Sequence, residues 1–169
     1  MLIAFAGLPG TGKSTLARLV ARRLPAAYLR VDAAEAGLIE AGLAAGPAGV
    51  GAAGYLVTGR LAGSCLDAGV AVVADAVNPV AEAREGWRRI AAAKGVPLLF
   101  VEVTCSDTAL HRRRVEARET DLPVLPVPSW QQVVEREYEP WEGDRLVIDN
   151  IGAPEPQVER ILAAASSPR

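Results

Sequence analysis

Short apolar runs alternate along the chain with segments in which apolar residues recur at helical spacing. The apolar runs predict five buried β-strands, at 2–6, 28–31, 70–74, 98–103 and 145–149. The helical spacing, with its stop and cap signals, predicts helices at 13–24, 80–94, 107–118, from Ser129 onward and at 154–165. Strands that alternate with helices in this way favour an α/β fold, a parallel sheet covered by helices on both faces.

The segment 33–68 has a weaker pattern, because it is rich in alanine and glycine. We interpret it as two helices around a loop at 46–51. Each glycine inside a helix costs roughly 1 kcal/mol relative to alanine. This segment is therefore predicted to be the most mobile part of the chain.

Composition narrows the class of protein. The chain has 169 residues, a net charge of −2 and 50% hydrophobic residues, which fits one globular domain over 1–169. No apolar run approaches the roughly 18–20 residues of a membrane span, and the N-terminal run lacks the basic start of a secretory signal. A near-neutral charge argues against binding of long nucleic acid. Cys65 and Cys105 form neither a disulfide framework nor a metal motif, so we expect a cytoplasmic protein. We also expect a monomer or a homodimer.

The strongest motif follows the first strand. Residues 7–14 read GLPGTGKS and fit G-x-x-x-x-G-K-[ST] at every fixed position. Glycines let the backbone N–H groups curl around a phosphate, and the following helix points its positive end at it. Lys13 is expected to reach the β- and γ-phosphates, and Ser14 to bind Mg²⁺. The predicted nucleotide-binding residues in this loop are Gly7, Leu8, Pro9, Gly10, Thr11, Gly12, Lys13, Ser14 and Thr15.

Two carboxylates follow the second and third predicted strands. Asp32 would line the crevice beside the phosphate loop, since ligands of open α/β sheets bind beyond the carboxyl ends of the strands. There it can act as the general base that accepts a hydroxyl proton, or it can be a helix cap with Glu35 as its capping-box partner. Asp75 resembles the acidic residue that contacts Mg²⁺ through water. Beyond it, Asn78 is either a helix cap or a substrate contact, and Arg84 is expected to be an exposed helical residue.

An arginine-rich helix is predicted after the fourth strand, with Asp107 as its N-cap. Arg114 and Arg118 are four residues apart and would share one face, where they can neutralise a phosphoryl group or stack on adenine. Alternatively, these arginines form a charged face that is exposed to solvent. The only histidine, His111, is expected at the surface. The aromatic residues Trp130, Tyr138 and Trp141 are expected to pack or, alternatively, to hold the acceptor.

The chain resembles the small P-loop kinases of the nucleoside-monophosphate-kinase-like branch. The resemblance rests on four segments that occur in this order: GLPGTGKST, the strand ending in Asp32, ADAVNP and RRRVEAR. Within this branch the chain is similar to the group of chloramphenicol phosphotransferase, zeta-toxin-like kinases and the kinase half of bacteriophage polynucleotide kinase. The resemblance implies a three-layer P-loop NTPase fold with a five-stranded parallel sheet of order 2-3-1-4-5. It also implies ATP and Mg²⁺, a general base at Asp32, and a short lid over 107–128 carrying Arg114 and Arg118.

The chain departs from this group at one informative position. Members often carry an arginine three residues after the base, where this chain has Glu35. That difference argues against a phosphorylated acceptor and against polynucleotide kinase activity. The Asp-Gly-Asp-Asn run of adenylylsulfate kinases is also absent.

The leading hypothesis is an ATP·Mg²⁺-dependent phosphotransferase that acts on a hydroxyl of a small molecule. The acceptor would enter between the alanine- and glycine-rich segment 33–63, part of the acceptor-binding segment 33–68, and the start of the helix after Asn78. Its catalytic residues would be Lys13, Asp32, Arg114 and Arg118, and Ser14 and Asp75 would hold the metal. Two alternatives stay open: an ATP-binding switch protein without a small-molecule acceptor, and a toxin-type nucleotide-sugar kinase.

Overall fold

A five-stranded parallel sheet forms the centre of the molecule in the computed structural model, which describes residues 1–167. The strand order β2-β3-β1-β4-β5 confirms the predicted 2-3-1-4-5, and every neighbouring pair runs parallel. The prediction of one domain over 1–169 includes two final residues that lie outside the described part. The strands are β1 (Leu2–Ala6), β2 (Ala26–Arg30), β3 (Ala71–Asp75), β4 (Leu98–Thr104) and β5 (Leu146–Asp149).

Helices connect these strands. The described residues contain eight of them: α1 (Lys13–Arg23), α2 (Val31–Glu40), α3 (Pro47–Val50), α4 (Ala53–Asp67), α5 (Ala81–Lys94), α6 (Thr108–Glu116), α7 (Trp130–Val134) and α8 (Pro154–Ser166). The segment 33–68 thus forms most of α2, the short α3 and the long α4. Ser129 begins α7 with the predicted capping box, since its side chain accepts from Gln132 N and the Gln132 side chain accepts from Ser129 N.

Successive residues of β1 face opposite layers, as the period of a strand requires. Ile3 and Phe5 pack in one buried cluster with residues of α1 and α8. Leu2 and Ala4 pack in a second cluster with residues of α4 and α5. All five residues of β1 are fully buried, which explains its continuous apolar run. The result is the predicted three-layer arrangement with β1 at its centre.

Two of the boundaries that differ from the sequence prediction affect residues of the site. β2 ends at Arg30 and Val31 begins α2, so Val31 is not a strand residue. α6 ends at Glu116, two residues before the predicted end, and Arg118 therefore lies beyond the helix. Neither boundary is marked by glycine or proline, the residues that punctuate elements most clearly.

Within residues 1–167, none of the helices combines the length and the apolar character that a membrane-crossing helix needs.

Candidate active site

The phosphate loop, residues 7–14, connects β1 to α1, and Gly12 is the N-cap of α1. Gly10 and Gly12 have φ values of +84° and +88°, in the left-handed region that favours glycine. A Cβ at Gly10 would collide with Val115 and His111, and one at Gly12 with Asn150. The loop therefore needs glycine for its backbone conformation and also for space.

Two side chains from distant parts of the chain hold the loop. The Nε2–H of His111 donates to the carbonyl oxygen of Pro9 at 2.8 Å, and its ring meets Trp130 edge to face. Asn150 donates from Nδ2 to the carbonyl oxygen of Thr11 at 2.9 Å. The expectation of a surface His111 is wrong: only 7% of it is exposed, because α6 packs it against the loop. Asn150 was not predicted, although its place directly after an apolar strand was a usable signal.

Lys13 lies at the first position of α1 and is 7% exposed. Among residues 1–167 its ammonium has no hydrogen-bond partner, yet it lines an open cavity. Burial lowers the pKa of Lys13, and the negative charges of Asp75 and Asp32 oppose that shift. A buried, unpartnered cation beside a ring of backbone N–H groups is suited to bind an anion.

Asp75 ends β3 and is 2% exposed. Its Oδ2 accepts a 2.6 Å hydrogen bond from the hydroxyl of Tyr28 on β2. Burial and the charge of Asp75 raise the pKa of Tyr28, which keeps that hydroxyl protonated as a donor. The other oxygen, Oδ1, is buried and has no hydrogen-bond partner in the described part of the chain. One carboxylate oxygen near Lys13 is thus left for a ligand.

Asp32 lies in the first turn of α2, while the N-cap is Arg30 and no side chain caps the helix. The capping-box interpretation of Asp32 with Glu35 is therefore wrong. Arg30 contacts Asp32 at 3.5 Å and makes two hydrogen bonds of 2.9 and 2.8 Å to the carboxylate of Asp121. Arg30 holds Asp32 on one side and the segment after α6 on the other.

Lys13, Arg30 and Asp32 line a cavity of about 300 Å³ beyond the carboxyl ends of the strands. The lining residues come from the phosphate loop, the end of β2, α2, the start of α3, the segment after β3, and the segment 118–136. Its charged lining residues are Lys13, Arg30, Asp32, Glu35, Arg118 and Arg136. Burial, followed by the charge of Asp32, raises the pKa of Glu35 to about 7.

The two arginines that the sequence placed on one helix face are separated. Arg118 lines the cavity, but it follows the end of α6. Arg114 stays on α6 and donates to the carbonyl oxygen of Asn150 at 2.6 Å. The prediction that Arg114 and Arg118 share one helix face is thus wrong, because α6 ends between these two residues. Arg114 lies behind the phosphate loop, beside the residue that holds Thr11.

Two further residues have structural contacts that differ from the sequence expectation. Asn78 is fully buried and has a φ of +49°. Its side-chain Nδ2 donates to the carbonyl oxygen of Phe5, and its Oδ1 accepts from Nε1 of Trp87. It is not a helix cap, because the N-cap of α5 is Val80. Arg84, expected at the surface, is 2% exposed.

Arg84 is buried because its guanidinium donates to four carbonyl oxygens, those of Asn78, Pro79, Glu139 and Pro140. Its planar group also lies over the rings of Tyr138 and Trp141. Trp141 packs edge to face on Phe100. Tyr138 and Trp141 therefore pack around Arg84, while Trp130 packs against His111, as one of the two sequence interpretations expected.

A glycine-rich phosphate loop between β1 and α1 of a parallel 2-3-1-4-5 sheet defines a P-loop nucleotide-binding protein with the fold of the small P-loop kinases. More specifically, the chain belongs to the AAA domain family, which matches residues 2–136. None of the curated proteins matches the chain.

Solved structures share this fold over nearly the whole chain. The APS kinase CysC of Mycobacterium tuberculosis, in complex with AMPPNP and APS, is 24% identical over 98% of this chain and 97% of its own, with a TM-score of 0.74. A gluconokinase from Sinorhizobium meliloti is 19% identical over 95% and 89%, with a TM-score of 0.66. Kti12 of Chaetomium thermophilum, in complex with ADP-AlF3, is 18% identical over 99% and 100%, also with a TM-score of 0.66. At these identities the likeness concerns the fold.

Proposed function

We propose that this protein is a kinase that transfers the γ-phosphoryl group of ATP to a hydroxyl of a small molecule, with Asp32 as the general base. The observation that carries the proposal is the cavity shared by Lys13, Asp32 and Arg118. A cation of the phosphate loop, a carboxylate and an arginine around one space are the groups that phosphoryl transfer to an alcohol needs.

In the reaction, the acceptor oxygen forms a bond to the γ-phosphorus while the bond from that phosphorus to the β,γ-bridging oxygen breaks. Asp32 takes the hydroxyl proton, and ADP leaves with the electron pair of the broken bond. Lys13 binds the phosphates, and Arg118 stabilises the negative charge on the group in transfer. The neighbouring structures with AMPPNP and ADP-AlF3 support an adenine nucleotide as donor.

The residues present fit a magnesium ion. Asp75 offers a buried oxygen without a partner in the described chain, and Ser14 is the hydroxyl of the motif. No three His, Cys, Asp or Glu side chains of residues 1–167 form a metal cluster. This agrees with Mg²⁺, which is commonly held by one or two protein oxygens and the substrate phosphates. When bound, the ion would neutralise phosphate charge.

A small acceptor fits the size of the site. About 300 Å³ is at the lower limit of ordinary ligand pockets. That volume favours a molecule of a few carbon atoms over a nucleotide sugar or an oligonucleotide. The kinase neighbours, an APS kinase and a gluconokinase, support transfer to an acceptor molecule.

The test measures ADP release from Mg²⁺-ATP, with and without pooled acceptors: sugars and polyols, nucleosides, aminoglycosides, chloramphenicol-like alcohols and short 5′-hydroxyl oligonucleotides. We expect one pool to raise the rate. Lys13→Ala should lose both nucleotide binding and turnover, whereas Asp32→Asn should keep nucleotide binding and lose the acceptor-dependent rate. Asp144→Asn, an exposed carboxylate outside the cavity, is the matched control.

The outcome separates the kinase from the switch alternative. If no pool raises the rate and Asp32→Asn hydrolyses ATP as fast as the unmodified protein, the kinase proposal is wrong. An ATP-dependent switch that acts on a protein partner then becomes the better interpretation.

A further inference from the structure

Glu35 is a charged residue of the cavity to which the proposed reaction gives no role. It lies on α2 three residues after Asp32, so both carboxyl groups project from one face of the helix. Both also line the same cavity. Among residues 1–167, Glu35 has neither an ion pair nor a hydrogen bond through its side chain. Its carboxyl oxygens are therefore free to bond a ligand that occupies the cavity.

Neighbouring residues restrict the position of the Glu35 side chain at the cavity. Gly54 of α4 lies behind it, and a Cβ at Gly54 would collide with the Glu35 side chain. The residues whose charges act on it are Asp32 on its own helix and Arg136 beyond α7, and Tyr55 of α4 is close enough to feel its charge. Arg136 lines the cavity without forming an ion pair to Glu35.

A second feature shows that the cavity is built to bind a ligand. Lys13 is only 7% exposed, its ammonium has no hydrogen-bond partner among the described residues, and it lines the same cavity. An anion bound to Lys13 would occupy one end of the cavity. Asp32 and Glu35 then face whatever molecule occupies the other end.

We propose, resting on the kinase function above, that Glu35 binds a second hydroxyl of the acceptor, next to the hydroxyl that Asp32 deprotonates. The acceptor is therefore a sugar or a polyol with adjacent hydroxyl groups. The reason is chemical. Carboxyl groups one helical turn apart match two neighbouring hydroxyls, each of which donates a hydrogen bond to one of them. A simple alcohol would leave Glu35 without a partner.

The pKa of Glu35, raised by burial to about 7, supports this role. Near neutral pH the group is a mixture of the acid and the carboxylate. The acid donates a hydrogen bond to a hydroxyl and the carboxylate accepts one, so either form can hold the second hydroxyl.

The experiment compares acceptors that differ by one adjacent hydroxyl: glycerol with propane-1,3-diol, butane-1,2,4-triol with butane-1,4-diol, and D-glucose with 2-deoxy-D-glucose. D-sorbitol and D-gluconate test whether an additional carboxylate improves binding. Acceptor-dependent ADP release gives kcat and KM for the unmodified protein, Glu35→Ala, Glu35→Gln and the control Glu40→Gln. Glu40 is an exposed carboxylate on the same helix.

We expect the unmodified protein to prefer the compound with the adjacent hydroxyl by about tenfold or more in kcat/KM. Glu35→Ala should remove most of that preference by raising the acceptor KM, with the KM of ATP unchanged. Glu35→Gln should restore part of it, because an amide can still bond a hydroxyl. Glu40→Gln should behave as the unmodified protein.

Two results would overturn the inference alone: equal use of both members of each pair by the unmodified protein, or an equal loss for both members in Glu35→Ala. In either case acceptor-dependent ADP release would persist and the kinase proposal would stand. If no acceptor of any class raised ADP release, the kinase proposal would fail and the inference with it. Thermal unfolding of each variant verifies that the protein is folded.

Discussion

The hydroxyl of Tyr28 donates a 2.6 Å hydrogen bond to Oδ2 of Asp75, across two neighbouring strands of the sheet. Because this bond occupies one carboxylate oxygen, it determines that Oδ1 is the one left without a partner among residues 1–167. Tyr28 thereby orients the carboxylate that we propose as a contact of Mg²⁺. It is a positioning residue that the sequence did not indicate.

Replacing Tyr28 by phenylalanine removes this bond and leaves a buried carboxylate with neither oxygen bonded by the protein. We expect the free energy of unfolding to fall by about 1–3 kcal/mol. We also expect ADP release to require a higher Mg²⁺ concentration for half-maximal rate. Urea denaturation and a Mg²⁺ titration measure the two effects. Tyr138→Phe is the control, since it removes a tyrosine hydroxyl that is not bonded to Asp75. An unchanged Mg²⁺ requirement in Tyr28→Phe would contradict the positioning role.

Glu35→Gln should change how stability depends on pH. Burial raises the pKa of Glu35 from 4.5 to about 7 in the folded protein, so the folded state holds the proton more tightly than the unfolded chain. The tighter proton binding stabilises the native protein fully below pH 4.5, and this stabilisation is lost as the pH rises through about 7.

Glutamine has no such proton. The variant should therefore gain about 1–2 kcal/mol relative to the unmodified protein between pH 5 and pH 8, after allowance for solvent screening. Urea denaturation at several pH values checks this, with Glu40→Gln as control. A stability difference independent of pH would show that Glu35 titrates normally.

Removing the imidazole of His111 should loosen the phosphate loop. His111→Phe keeps a ring against Trp130 but leaves the carbonyl of Pro9 without its donor. We expect a loss of about 1–3 kcal/mol in stability and weaker nucleotide binding. Binding of an ATP analogue by calorimetry measures the second effect. Asn150→Ala, which frees the carbonyl of Thr11, should act in the same direction. Nucleotide binding that is unaffected in both variants would mean that the loop keeps its shape without them.

Arg84→Met should destabilise the fold without affecting nucleotide binding per folded molecule. Methionine fills similar space but removes the guanidinium donor of four carbonyl oxygens, of which only that of Pro79 keeps another donor, the backbone N–H of Glu139. The expected loss is about 3 kcal/mol or more by urea denaturation, since hydrogen bonds to a charged group are worth more than neutral ones. Arg89→Met, at an exposed position of the same helix, should cost little. A small loss in Arg84→Met would show that the loop after α7 closes without the guanidinium.

The fold could be predicted from the sequence because its signals are local. Each strand is a short apolar run, each main helix has its own periodicity, and the phosphate loop is a contiguous motif. Ser129 with Gln132 is likewise a signal within four residues, and the structure contains that capping box. The order of the strands came from the resemblance to P-loop kinases, since strand order depends on contacts that no single segment specifies.

The errors concern residues whose partners are far away in the chain. His111 bonds Pro9 across 102 residues, and Arg84 bonds Pro140 across 56. Seen locally, both are polar residues on a helix, for which exposure is the ordinary expectation. Asp32 shows the opposite case. Its spacing to Glu35 fits a capping box, but α2 begins two residues earlier than that motif needs. The catalytic assignments of Lys13, Asp32, Arg114 and Arg118 stay predictions.

The bond from Asn150 to Thr11 joins residues 139 positions apart. During synthesis, the whole phosphate-loop motif leaves the ribosome long before the amide that holds it. A nascent chain that ends before β5 contains every residue of the motif without the contact that fixes Thr11. We therefore expect such a chain to bind nucleotide poorly, so that competence to bind appears only near the end of translation.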